Sequence, residues 1–221
     1  MFSEVRVSIT ICLNILGASS LSAQRYLDTN DPNDQEVKSL LSKNNDLNAF
    51  GAADLKIGDL KGERGLLVGA YGGFIINRRY LFGVAGYGLV TNLEFEGQVP
   101  GQTETKQLNL HGGYGGIIIG ATIAPRELIH VSIPIVLGAG SLEVVDKDFF
   151  INNPADSEFT VENSVFFVAQ HGVEVEINIT KYFRLGIGMT YRYISGTELE
   201  NVKDEDVSGT TAMISFRFGR F

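Results

Sequence analysis

The sequence predicts an all-β chain: an eight-stranded antiparallel up-and-down transmembrane β-barrel behind a short N-terminal periplasmic segment. Three observations predict it. Strand-length segments from Ala49 onward alternate apolar and polar residues with period two. The links between those segments alternate between tight and long, and most of the Pro, Asn, Asp and Glu falls in the long ones. Glycine (26 residues) and the aromatics Tyr and Phe (8 and 14) are abundant in the 221 residues without any collagen-like period, which fits a sheet protein rich in small and aromatic side chains.

Residues 1–23 have the pattern of an export signal. Arg6 and the amino terminus precede an apolar core from Val7 to Gly17, and small residues lead to Ala23 and Gln24. Cys12, the one cysteine, lies inside this segment, so a processed chain would have no disulfide and no cysteine-based metal site or nucleophile. Residues 24–48 turn polar. Asp31-Pro32, followed by Asp34, Val37, Leu40 and Leu41, predicts a short capped helix in a periplasmic leader at the mouth of the barrel.

The barrel is assigned to residues 49–221, with strands at Ala49–Gly58, Arg64–Ile76, Tyr80–Phe95, Gln107–Ile123, Leu128–Val145, Val161–Ile179, Tyr182–Ile194 and Ser208–Phe221. The links at Asn77–Arg79, Ala124–Glu127 and Thr180–Lys181 are tight, those at Glu96–Lys106, Asp146–Thr160 and Ser195–Val207 are long, and Asp59–Glu63 is intermediate. Tight turns at one end and longer loops at the other are the layout of a membrane barrel. The string Gly69-Ala70-Tyr71-Gly72-Gly73-Phe74-Ile75-Ile76 is echoed at Gly112 to Ile119, one strand in each of two hairpins, which supports a hairpin array.

The hairpin Val165–Tyr193 decides which face is inside. Phe183, Leu185, Ile187, Met189, Tyr191 and Tyr193 share one face, and Arg184, Gly186, Gly188, Thr190 and Arg192 share the other. In a soluble barrel the glycines would stand on a solvated strand face, where they weaken the strand and gain nothing. Turned inward, they leave room in an eight-stranded bore that side chains just fill. The apolar row covers about 36 Å of strand, or about 25 Å of membrane depth once tilted, which is the height of a barrel's apolar belt.

Phase then names the lumen-lining charges: Asp54, Lys56, Glu174, Glu176, Arg184, Arg192 and Arg217. Charges withdrawn from bulk water need partners, so Glu174 and Glu176 are expected to meet Arg184 and Arg217 in a ladder across the neighbouring last three strands that closes the bore.

The final strand, Met213-Ile214-Ser215-Phe216-Arg217-Phe218-Gly219-Arg220-Phe221, resembles the C-terminal strand of Gram-negative outer-membrane proteins. With the export segment, the eight strands and the loop asymmetry, Ala49 to Phe221 resembles the small eight-stranded outer-membrane barrels of OmpA/OmpX-like architecture. The resemblance implies an outer-membrane location. It also implies contact with outer-membrane lipid and lipopolysaccharide, and recognition of the last strand by the outer-membrane assembly machinery. Phe216 and Phe218 are out of phase with Phe221, which calls for a bulge near Gly219.

Several function classes recede. The net charge of −8 comes without a basic stripe, against nucleic-acid binding. No apolar run reaches the roughly 18 residues of a spanning helix. His130-Val131-Ser132 resembles the His-x-Ser pair of lipid A deacylases, but both side chains take the interior phase near the tight-turn end, away from a lipid substrate. His171 takes the lipid-facing phase, and three scattered histidines make no zinc site, so neither a metal nor another cofactor is expected. Gly83 to Gly88 lies within a strand and lacks the helix and the Lys of a phosphate loop. Glu198, Glu200, Asp204, Glu205 and Asp206 form an acidic loop, expected to be a solvated extracellular run, with an extracellular ligand or lipopolysaccharide-bridging cations as the sharper alternative.

The expected function is a non-enzymatic outer-membrane barrel with a structural or surface-interaction role. The alternatives are a narrow pore for small or apolar solutes, an outer-membrane lipid-modifying enzyme, and a soluble barrel holding an apolar ligand.

Overall fold

The computed structural model describes residues 46–98, 105–146 and 160–221. The expected export signal and most of the expected leader, with its helix, lie outside the described residues. Nine strand segments follow in order: β1 (Leu47–Leu60), β2 (Glu63–Ile76), β3 (Tyr80–Leu89), β4 (Leu93–Gln98), β5 (Thr105–Ile123), β6 (Ile129–Asp146), β7 (Thr160–Thr180), β8 (Phe183–Ser195) and β9 (Gly209–Gly219). One four-residue helix, α1 (Asp204–Val207), sits in the β8–β9 link.

All pairings are antiparallel, and the ring closes where β1 meets β9, from Phe50↔Gly219 to Gly58↔Thr211. The ring has eight positions, because β3 and β4 share the third. β3 pairs with β2 on one side and with the lower half of β5 on the other, while β4 pairs only with the upper half of β5. The expected continuous strand from Tyr80 to Phe95 is therefore broken at Val90–Asn92. There the backbone turns back toward β2, with Val90 N–H donating to the Leu66 carbonyl (3.0 Å) and Leu66 N–H to the Thr91 hydroxyl (2.7 Å).

The β1–β2 link is shorter than expected. Leu60 faces Glu63 directly, leaving a two-residue turn in which Lys61 (φ 53°) and Gly62 (φ 81°) both take left-handed backbone, the hand that matches strand twist. At the opposite end, a three-residue link turns β2 into β3, with Asn77 and Arg78 also in left-handed backbone.

The outward row is apolar through the body of the barrel. Val84 is 67% exposed, Ile187 and Met189 are each 60%, and Phe82, Val173 and Phe218 are over half exposed. A hydrocarbon surface of this kind on every strand but β4, whose exposed positions are Glu94, Glu96 and Gln98, is unfavourable in water and suits lipid. The sheet β4–β7 continues past the β1–β2 tip: the β5–β6 pairing reaches Leu108↔Asp146, and β7 begins at Thr160. The six residues of β4, which pair with β5 alone, amount to about 20 Å of strand.

Candidate functional site

Every charged residue assigned to the lumen lies inside, at 1–2% exposure: Asp54, Lys56, Glu174, Glu176, Arg184, Arg192 and Arg217. Four of them meet in one cluster. Arg217 on β9 reaches both carboxylates of β7, with Nη1 2.5 Å from Glu176 and Nη2 3.1 Å from Glu174. Arg184 on β8 pairs with Glu176 at 3.5 Å. Register places Arg184 directly opposite Arg217, so the two guanidinium groups come together, and the carboxylates between them offset their repulsion. Gly186 makes this possible, because a Cβ at that position would collide with the Glu174 carboxylate.

Two members of the cluster were not assigned to it from sequence. The Tyr71 hydroxyl accepts from Arg217 Nε (3.1 Å) and Nη2 (2.6 Å) and contacts Ser215 Oγ at 3.1 Å. His130 Nε2 lies 3.0 Å from Glu176 Oε2. The signal for Tyr71 was its interior phase within the glycine-rich string, but its partner is 146 residues away and on no sequence neighbour.

Asp54 and Lys56 form a second group higher in the bore. Their charges are 3.9 Å apart, the Lys56 ammonium sits 3.3 Å from the centre of the Tyr87 ring, and the Tyr87 hydroxyl donates to Asp54 at 2.9 Å. Gly69 leaves the space that this ring fills. Arg192 stands apart from both groups, donating from Nε to the Val207 carbonyl at 2.9 Å.

Above Arg192 the lumen is apolar. Leu60, Leu67, Leu110, Leu142, Phe166, Val168 and Ile194 line it. The β8–β9 link folds across this layer as a lid. The expected solvated acidic run is thus half of the picture: Glu198, Glu200 and Glu205 face water, while Leu199, Val202 and Val207 are buried against the core.

Two residues tie the lid down, Lys61 and Asn201, and Asp204 braces it from within. Lys61 N–H donates to the Asp206 carbonyl at 2.6 Å, and the Lys61 ammonium bonds the Asn201 carbonyl. Asn201 bridges the two free edges of the upper sheet, through Gln98 N–H and C=O (3.1 and 2.9 Å) and the Glu162 carboxylate (2.6 Å). Asp204 accepts from the Thr197 hydroxyl and from the backbone N–H groups of Thr197 (2.8 Å) and Gly196 (3.1 Å), which holds its carboxyl below the ordinary value. Among the described residues no group of three or more carboxylate, His or Cys ligands converges on a metal position.

Two small voids lie in the bore among the described residues. One void of about 20 Å³ lies beneath the lid beside Arg192 and Phe166, and one of about 10 Å³ lies between Asp54, Lys56 and Gln170. Each has the scale of a single water molecule. At the short-turn end a recess of about 510 Å³ lined by Arg78, Arg126, Lys181 and Arg184 forms the open mouth. Phe221 belongs to this mouth. β9 ends at Gly219 without a bulge, Phe221 N–H donates to the Lys181 carbonyl (3.3 Å), and its ring lies 4.0 Å from the Arg184 guanidinium. The strand ends before Phe221, so the phase mismatch with Phe218 is resolved by termination and not by an extra residue.

The His130/Ser132 pair is 1–2% exposed inside the lumen, with Ser132 Oγ 3.5 Å from the Thr122 hydroxyl and His130 turned to Glu176. His171 is outside, its ring 5.8 Å from that of Tyr191.

Comparison with family models and with curated proteins finds no match. Among solved structures the chain is similar to the crystal structure of Neisserial surface protein A, NspA, with a TM-score of 0.50 at 14% identity, over 79% of this chain and 97% of that one. It is also similar to the N-terminal β-barrel domain of Pseudomonas aeruginosa OprF (TM-score 0.45, 11% identity, 78% and 96% covered). Ail, the attachment invasion locus protein of Yersinia pestis, is a third (TM-score 0.42, 15% identity, 79% and 98% covered). The chain has the fold of the small eight-stranded outer-membrane barrels, as the sequence predicts.

Proposed function

We propose that the chain is a closed, non-enzymatic barrel of the bacterial outer membrane, with a structural or surface-interaction role carried by the β4–β7 sheet and its lid. The observation that carries this reading is the combination of a lipid-suited outer belt with lumen charges at 1–2% exposure. A conducting bore would keep such charges wet, whereas here each is held by protein partners or by an aromatic ring. A soluble barrel would reverse the faces. A lipid-modifying enzyme would expose its nucleophile toward lipid, and Ser132 is enclosed instead.

In this reading the partners are outer-membrane lipid and lipopolysaccharide along the belt, and the assembly machinery at the outward row Ile214, Phe216 and Phe218 of β9. An extracellular ligand, if one is bound, meets the exposed carboxylates Glu198, Glu200 and Glu205 on the lid. The test is extraction from cells. The protein should leave the membrane fraction only with detergent and should migrate differently on gels before and after boiling. Release in plain buffer, or a single migration, would overturn the reading.

A further inference from the structure

The charge of the molecule is unevenly placed. In a chain of net charge −8, the short-turn end carries the exposed cations Arg78, Arg79, Arg126, Lys181 and Arg220, against the side-chain carboxylates of Asp46 and Glu127. Arg78 is paired with Asp46 at 3.2 Å, which lowers the Asp46 carboxyl below its ordinary value. Arg79 and Arg126 are in no ion pair among the described residues, yet they line the same recess. Their turns are neighbours because β3 pairs with β5, and the Thr122 N–H locks them by donating to the Arg79 carbonyl at 2.8 Å.

Between these turns lies a recess of about 410 Å³ lined by Asn77, Arg79, Tyr80, Ala124, Pro125, Arg126 and Glu127. Tyr80, 44% exposed, marks its lipid side. From Tyr80 the exposed pair Phe82↔Ile119, with Val84 and Ile117 beyond, continues straight into the apolar belt. Two unpaired guanidinium groups sit at the water end of an apolar track, with an amphipathic ring at the boundary.

We propose that this recess binds the phosphodiester of an anionic phospholipid, one without a headgroup cation, in the leaflet at the short-turn end, with Arg79 and Arg126 as the clamp and the acyl chains lying along β3 and β5. The proposal rests on the membrane-embedded reading given above. Guanidinium forks match phosphate oxygens in a way that a point charge does not, and a tyrosine beside them suits the headgroup level. Glu127 on the same recess disfavours a dianionic free phosphate and leaves a net single positive charge for a monoanionic diester.

The test uses the full barrel inserted in phosphatidylcholine vesicles, with insertion checked by heat-modifiable migration, and compares spin-labelled phosphatidylglycerol with spin-labelled phosphatidylcholine at the protein surface. Phosphatidylglycerol should be preferred, and the preference should fall about fivefold for each of Arg79→Gln and Arg126→Gln, the scale of one basic residue at an anionic surface. Lys203→Gln, at the lid end, should leave it unchanged, as should inorganic phosphate at matched ionic strength. An unchanged preference in the double arginine variant would overturn the proposal. So would an equal loss with Lys203→Gln, or removal by inorganic phosphate, which would mark a free-anion site. Failure of the wild-type chain to insert would instead strike the membrane reading, so the two failures are distinguishable.

Discussion

The two ends of the strands are built on opposite rules. Low on β6, Ile129 and Ile133 face out while His130 and Ser132 face in. High on the same strand, Glu143 faces out while Leu142 and Val144 face in. β5 reverses in the same way, from outward Ile117 and Ile119 to inward Leu108 and Leu110. The solvent outside explains the reversal. Around the belt it is hydrocarbon, so polar groups go inward and must pair there. Above the belt it is water, and the strands return to the apolar interior of an ordinary sheet. The lower lumen is therefore closed by ion pairs and the upper one by a small hydrophobic core with the lid as its cover.

This difference makes the two regions fail differently. The largest effect is expected from Arg217→Ala. It strips Glu174 and Glu176 of their shared partner and Tyr71 of its donor, and should cost about 3–5 kcal/mol in denaturant unfolding of the detergent-folded barrel. A change of under about 1 kcal/mol would mean that water already reaches the cluster.

The boundary between the two rules can be located by introducing lysine on the outer face. Ile187→Lys, in the belt, should cost about 2–4 kcal/mol, while Gln107→Lys, above it and beside Glu96, should stay within about 0.5 kcal/mol. Equal costs at the two heights would erase the distinction.

The lid offers a smaller effect. Asn201→Ala removes bonds to Gln98 and Glu162 and should destabilise the lid by about 1–2 kcal/mol, read as faster amide exchange across Ser195–Ser208 with the strands unchanged.

The mildest effect is that of pH on the Gly196–Thr197 turn. The Asp204 carboxyl is lowered by its bonds to Thr197, so its contribution is complete above its ordinary value of 3.8 and is lost as pH falls through the lowered folded value. Exchange in the turn should quicken on acidification below that point, and Asp204→Asn should be insensitive to it.

Much of the fold was legible because lipid tolerates one face only. The clean alternation of Phe183–Tyr193 and the inward Arg184, Arg192 and Arg217 follow from that constraint. Other features carry no periodic signal. The break at Val90–Asn92 depends on β4 leaving β2, which nothing local announces. Leu199, Val202 and Val207 are spaced by three and five residues inside an acidic loop, and their burial depends on a core assembled from six strands. The reversal on β6 was readable in its residues, yet a single inside-outside rule applied to the whole strand conceals it. The place of Tyr71 at the ladder was hidden for a simpler reason: ring closure, not sequence neighbourhood, brings β2 near β9.

The central claim is that the barrel is sealed through both halves, and single-channel recording in planar bilayers tests it most directly. With insertion verified, the wild-type barrel should pass no current above that of the bare membrane, and the Asn201→Ala variant, with its lid loosened, should remain silent because the Arg217 cluster still closes the bore. Steady, stepwise conductance from the wild-type protein would contradict the account.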